Sequence, residues 1–107
     1  MTFVIVLMTT SNKQEATKIV TALLKQRLIA CANIIDSVSS FFWWKGKIKE
    51  EKEVLVIMKS HQKLFSALEK KIEELHSYDV PEILAIPITD GSQSYLKWLK
   101  EYLEPVK

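Results

Sequence analysis

One cysteine, Cys31, two histidines, His61 and His76, and three methionines are the soft and nitrogen ligands available in this 107-residue chain. A closed structural zinc site needs four such ligands. The sequence has no C-x-x-C and no H-E-x-x-H spacing, so any transition-metal site must recruit carboxylates or combine subunits. His76 closes a helical stretch and leads into Ser77-Tyr78-Asp79, which makes it the strongest single ligand candidate. The same position suits a helix C-terminal cation or a capping donor. Cys31 sits in the apolar run Leu28-Ile29-Ala30-Cys31-Ala32, where a free cysteine reads first as a small hydrophobe and second as a metal or redox group. His61 reads as a solvated residue near the start of a helix. Glu50, Glu51 and Glu53 could collect cations weakly, but a mixed run such as Lys49-Glu50-Glu51-Lys52-Glu53 reads as solvated surface, a bulge or an exposed edge.

Enzyme motifs are absent from the sequence. It has no G-x-S-x-G elbow, no P-loop and no dinucleotide-binding glycine pattern, and its two glycines could not build one. A formal charge of +2, from 15 basic and 13 acidic residues interspersed along the chain, lacks the basic footprint of a nucleic-acid binder. The single cysteine suits a reducing compartment, with the cytoplasm as the expectation. The apolar run Met1 to Met8 is far shorter than the roughly 20 residues that cross a bilayer and has no basic segment before it, so it reads as a strand and no membrane partner is expected.

These groups must be positioned by a single domain spanning 1–107, since compact domains most often run to about 100–150 residues. Phe3 to Met8 reads as a strand covered on both faces. Ser11 with Gln14, or Asn12 with Glu15, can form a reciprocal cap opening a helix whose inner stripe is Ala16, Ile19, Val20, Leu23 and Leu24. A strand is expected from Leu28 through Ile35 into the aromatic run, turning at Lys45-Gly46 into a partner strand that regains the core at Val54 to Met58. Ser60 can cap a second helix with Leu64, Leu68, Ile72 and Leu75 inward. Ile83 to Ile88 follows as a strand in which Pro87 marks an edge or an end. A last helix carries Tyr95, Leu96, Trp98, Leu99, Tyr102 and Leu103 and stops at Pro105.

The order β-α-β-β-α-β-α, with Val4-Ile5-Val6-Leu7-Met8 echoed by Val54-Leu55-Val56-Ile57-Met58, predicts a split βαβ repeat. In that plan both long helices lie on one sheet face. The strands are apolar at almost every position, so the other face must be dry too, and a short last helix is too small to cover it. Phe41, Phe42, Trp43 and Trp44 extend the long hairpin past its own helix. Burial of a large side chain is worth roughly 1.5–3 kcal/mol, so this arm is expected to reach into neighbouring copies. A satellite cluster under the last helix is the alternative.

Ala30-Cys31-Ala32-Asn33, Ser40 to Ile48, His76-Ser77-Tyr78-Asp79-Val80-Pro81-Glu82-Ile83 and Tyr95-Leu96-Lys97-Trp98-Leu99 resemble, in this order, the CutA family of divalent-cation tolerance proteins. The resemblance implies an α+β, ferredoxin-like split βαβ sandwich with an extended hairpin between its second and third strands. It also implies a homotrimer assembled like the PII signalling proteins. The family is linked to copper tolerance and divalent-metal binding, and its animal members to acetylcholinesterase anchoring. A bacterial member ligates metal through a thiol and two histidines whose places here are held by Met8, Leu75 and His76, with Ser77 where the family has proline. Only His76 matches outright, and Met8 is a thioether suited to Cu(I). The resemblance thus implies a nonenzymatic trimer binding copper or another divalent cation, with no obligatory cofactor; His76 and Met8 stand at the family's ligand positions, and the reading of the residues themselves adds Cys31 as a metal candidate. A PII-like sensor of a small anion or nucleotide is the alternative, its inter-subunit cleft lined by Lys59, Tyr78 and Glu82.

Overall fold

The structure, a computed structural model, describes residues 2–105; residues 1, 106 and 107 of the expected domain lie outside them. Eight elements follow one another: β1 (Phe3–Thr10), α1 (Lys13–Lys25), β2 (Cys31–Trp44), β3 (Lys47–His61), a 3-10 turn (Gln62–Leu64), α2 (Phe65–Leu75), β4 (Ile83–Pro87) and α3 (Gln93–Tyr102). The strands form one open antiparallel sheet in the order β2-β3-β1-β4. This is an α+β fold with the split βαβ connectivity that the sequence order predicts.

Strand alternation divides the sheet cleanly. Val4, Val6 and Met8 of β1 and Val54, Val56 and Met58 of β3 point to one face, where they pack with Ala16, Ile19 and Leu23 of α1 and Leu68 and Ile72 of α2. Leu99 and Leu103 close the same core from the C-terminal side. On the opposite face Ile5, Leu7, Leu55 and Ile57 are only half buried, and Ile35, Leu84 and Ile86 are exposed. A second dry face was expected, and these described residues leave it open.

Lys45 and Gly46 both have positive φ, 50° and 78°, and join β2 to β3 in a two-residue turn. That geometry matches the twist of antiparallel strands and needs the left-handed region that glycine enters freely. β4 is an edge paired only with β1, and Pro87 ends it opposite Val4, where its missing N–H is tolerated.

Four local expectations are corrected. β2 begins at Cys31 rather than Leu28: Arg27 turns the chain at φ 58°, and Leu28, Ile29 and Ala30 are buried in the connection. Ser60 does not cap α2; it is a buried residue of β3 whose hydroxyl donates to the Leu28 carbonyl at 2.7 Å. His61 is not solvated but 1% exposed. Lys49 to Glu53 is regular strand paired with β2, and the bulge lies instead on β2, between Ile35 and Val38, with Ser37 at φ 63°.

The bulge has a directional effect. Ile35 opposes Leu55 and Val38 opposes Glu53, so β2 carries one residue more than β3 across this interval. The side-chain period of a strand is two, and an extra residue therefore exchanges the faces of everything beyond it. Val38, Ser40, Phe42 and Trp44 consequently share the open face with Glu53, Glu51, Lys49 and Lys47. Phe41 and Trp43 point the other way and are the most exposed aromatics, at 67% and 72%.

Candidate functional site

Beyond the last residue of β1 the hairpin continues alone, and the loop from α2 to β4 comes alongside it. Thr9, the run Ser40 to Trp44, Lys49, Glu51, Glu53 and Tyr78 to Glu82 enclose a cleft of about 650 Å³ there. Its charged groups are Glu51, Glu53, Asp79 and Glu82 against Lys49, and Lys49 lies 3.4 Å from Glu51. The cleft is acidic on one side and aromatic on the other.

Three polar contacts hold the loop. His76 Nε2–H donates to the Thr9 carbonyl at 2.8 Å, and His76 Nδ1 accepts the Tyr78 N–H at 3.1 Å. These fix one neutral tautomer and occupy both ring nitrogens. Glu15 Oε2 accepts the Ser77 N–H at 2.7 Å and lies 3.8 Å from His76 Nδ1. The expected Asn12–Glu15 cap is therefore half made: Asn12 accepts the Glu15 N–H, while the Glu15 carboxylate turns to the loop. Burial acts to raise the Glu15 carboxyl, but hydrogen bonding from Ser77 and the nearby His76 outweigh it and hold it below its ordinary value.

Tyr78 then reaches over the end of β1, and its hydroxyl donates to Glu53 Oε2 at 2.7 Å. Burial, the hydrogen bond to Glu53 and the charges of Glu53, Glu51 and Glu15 push the phenol far above its usual range. Tyr78 thus stays a neutral donor. Glu53 is 8% exposed, yet no Lys, Arg or His among the described residues lies within salt-bridge distance of it.

The metal candidates are not brought together. Met8 is 0% exposed on the helix-covered face. Cys31 opposes Lys59, and Lys59 opposes Ile5, near the end of β1 remote from Thr9. There the Cys31 thiol lies 3.4 Å from the Tyr95 hydroxyl. Among the described residues no group of three or more His, Cys, Asp or Glu is arranged to hold a metal ion. Of the cleft candidates, Tyr78 and Glu82 line the cleft; Lys59 does not, and donates instead to Asn33 Oδ1 at 2.8 Å.

Glu53 and Glu15 are the residues that spacing alone missed. Glu53 looked like one charge in a solvated run, and its signal was strand parity: it continues the alternation of Leu55 and Ile57. Glu15 looked like a capping partner, and nothing local marks its use by a loop 62 residues away. His61 was missed as well. Both its ring nitrogens are buried without a hydrogen-bond partner among the described residues. Burial lowers its pKa, with a smaller opposing influence from the Glu104 backbone and an added lowering from Lys63.

An open four-stranded sheet, a long β2–β3 arm and an acidic-aromatic cleft beside it define a small α+β protein with the split βαβ plan. The model of the CutA1 divalent ion tolerance protein family matches residues 4–102, and the chain belongs to this family. It is 48% identical over 98 residues to the divalent-cation tolerance protein CutA of Pyrococcus horikoshii, covering 92% of this chain and 95% of the relative. The solved CutA1 of Oryza sativa superposes with a TM-score of 0.95 at 34% identity, covering 98% of this chain and 96% of that one. The divalent cation tolerance protein of Thermus thermophilus does so at 0.93 and 37% identity, with 95% and 99% covered. Against the chloroplastic rice relative the chain spans about half the length, 55%. No helix among the described residues is long and apolar enough to cross a membrane.

Proposed function

We propose that this chain is a nonenzymatic homotrimer that binds divalent or copper ions and contributes to tolerance of them, with the cytoplasm as its compartment. The observation that carries this reading is an incomplete donor set beside an uncovered apolar surface. The cleft offers Glu51, Glu53, Asp79 and Glu82, with His76 bonded to Thr9 and Tyr78 of its wall, while the aromatic arm lies open beside it and Ile35, Leu84 and Ile86 are exposed on the same sheet face. A neighbouring copy seated on that surface buries it and brings further donors to the cleft. Names borne by relatives of this chain, divalent-cation tolerance proteins, support the ion class. The family resemblance supplies the number three.

His76 serves as a nitrogen ligand only if Nδ1 gives up the Tyr78 N–H. Carboxylates favour harder divalent ions and imidazole favours copper, so donor identity decides the metal. Titration calorimetry with Cu(II), Cu(I) and Mn(II) on the wild type, His76→Ala and Glu53→Gln checks this. Binding that weakens in Glu53→Gln supports the cleft, and equal copper affinity with and without the histidine removes His76 from the ligand set. No binding of any of the three ions overturns the metal reading. A PII-like sensor of anions or nucleotides has less support, because the cleft that Tyr78 and Glu82 line is acidic and repels such ligands.

A further inference from the structure

The cleft is larger than a metal ion requires. Its volume, about 650 Å³, falls in the range of pockets that hold small organic ligands. Phe42 and Trp44 stand on the same sheet face as Glu51 and Glu53, because the bulge in β2 places them there. Glu53 is more than nine-tenths buried, and its only side-chain hydrogen-bond partner among the described residues is the Tyr78 hydroxyl, which stays neutral. A buried carboxylate without a counter-ion is costly, and Lys49, the cation in the lining, lies against Glu51 instead. The faces of aromatic rings attract positive charge, most strongly where water is excluded.

We propose that this cleft binds an organic ammonium ion, its charge set against Glu53 and its carbon body against Phe42 and Trp44. The charge pattern excludes anions, and the aromatic wall favours an amine with a substantial apolar group over a bare hydrated ion. This inference shares the cleft with the metal reading, yet it depends on the aromatic wall and makes no use of His76.

Calorimetric titration of the full chain with 2-phenylethylamine, against the neutral 2-phenylethanol of similar shape, tests it. The amine is expected to bind saturably and the alcohol about tenfold or more weaker. Glu53→Gln, nearly isosteric, should weaken the amine by about tenfold or more. Thermal unfolding of Glu53→Gln, expected to match the wild type, guards against a folding artefact in this variant. Phe42→Leu with Trp44→Leu should weaken the amine by a larger factor than Cu(II) or Mn(II), which separates this site from the metal reading. Equal affinity for amine and alcohol, or unchanged amine affinity in Glu53→Gln, overturns the proposal. So does the absence of saturable amine binding, the result expected if a lysine of a neighbouring copy already fills the cleft.

Discussion

Glu15 directs its carboxylate away from its own helix and onto the Ser77 N–H, so one side chain ties the start of α1 to the loop beside the cleft. Its carboxyl is held below the ordinary value, and the sign of the consequence follows from linkage. A depressed carboxyl pKa contributes stability in full above the unfolded value, near 4.5, and loses it as pH falls through the folded value. His61 acts from a higher pH: its folded pKa is lowered, so the buried ring resists protonation, and stability is lost as pH drops below the unfolded value, near 6.5. Glu15→Gln is expected to cost about 1 kcal/mol at neutral pH and to lose less stability than the wild type in strong acid. His61→Phe should instead remove the loss that begins below about pH 6.5. Denaturant unfolding across the acid range checks both; curves parallel to the wild type would deny the two groups these roles.

At the level of elements, signals carried by backbone conformation or by a long period were legible. Lys45-Gly46 marked its turn because the hairpin needs two left-handed residues, the apolar stripe of α1 marked its buried side, and Pro87 marked the end of an edge strand. Leu28 to Ala30 misled because a buried connection and a buried strand have the same apolar composition. Ser60 misled because a hydroxyl that caps a helix and one that bonds a distant carbonyl are identical in sequence. The cleft was half legible: Tyr78 and Glu82 could be placed there, whereas Glu53 depended on a register that only the folded hairpin sets. Replacing Gly46 by Ala meets no steric obstacle, since nothing lies within 4 Å of the added Cβ. Its φ of +78° remains unfavourable for an L side chain. Thermal unfolding should show a loss of about 1 kcal/mol, and an unchanged midpoint would mean that the turn relaxes to a conformation alanine accepts.

As a whole molecule, the chain is long, 43 × 26 × 22 Å, because the hairpin outruns the body that should shelter it. Two kinds of surface are left for neighbours: the sheet face of Ile35, Leu84 and Ile86, and the outward aromatics Phe41 and Trp43. Changing Phe41 and Trp43 together to Ser is expected to weaken the proposed trimer. Light scattering at low concentration checks this, and a double variant that stays fully trimeric would show that these two side chains are not needed for assembly. The division of labour between the aromatic pairs is not written in the aromatics themselves. It comes from the single additional residue between Ile35 and Val38, which assigns even-numbered positions of the arm to the sheet face of Glu51 and Glu53 and odd-numbered ones to the opposite face. Removing one residue between Val38 and Phe41, with the bulge kept, would trade the pairs, turning Phe41 and Trp43 to the face of Glu51 and Glu53 and Phe42 and Trp44 to the opposite one. The faces to which the aromatics turn can therefore be exchanged by counting alone, with every aromatic left as it is.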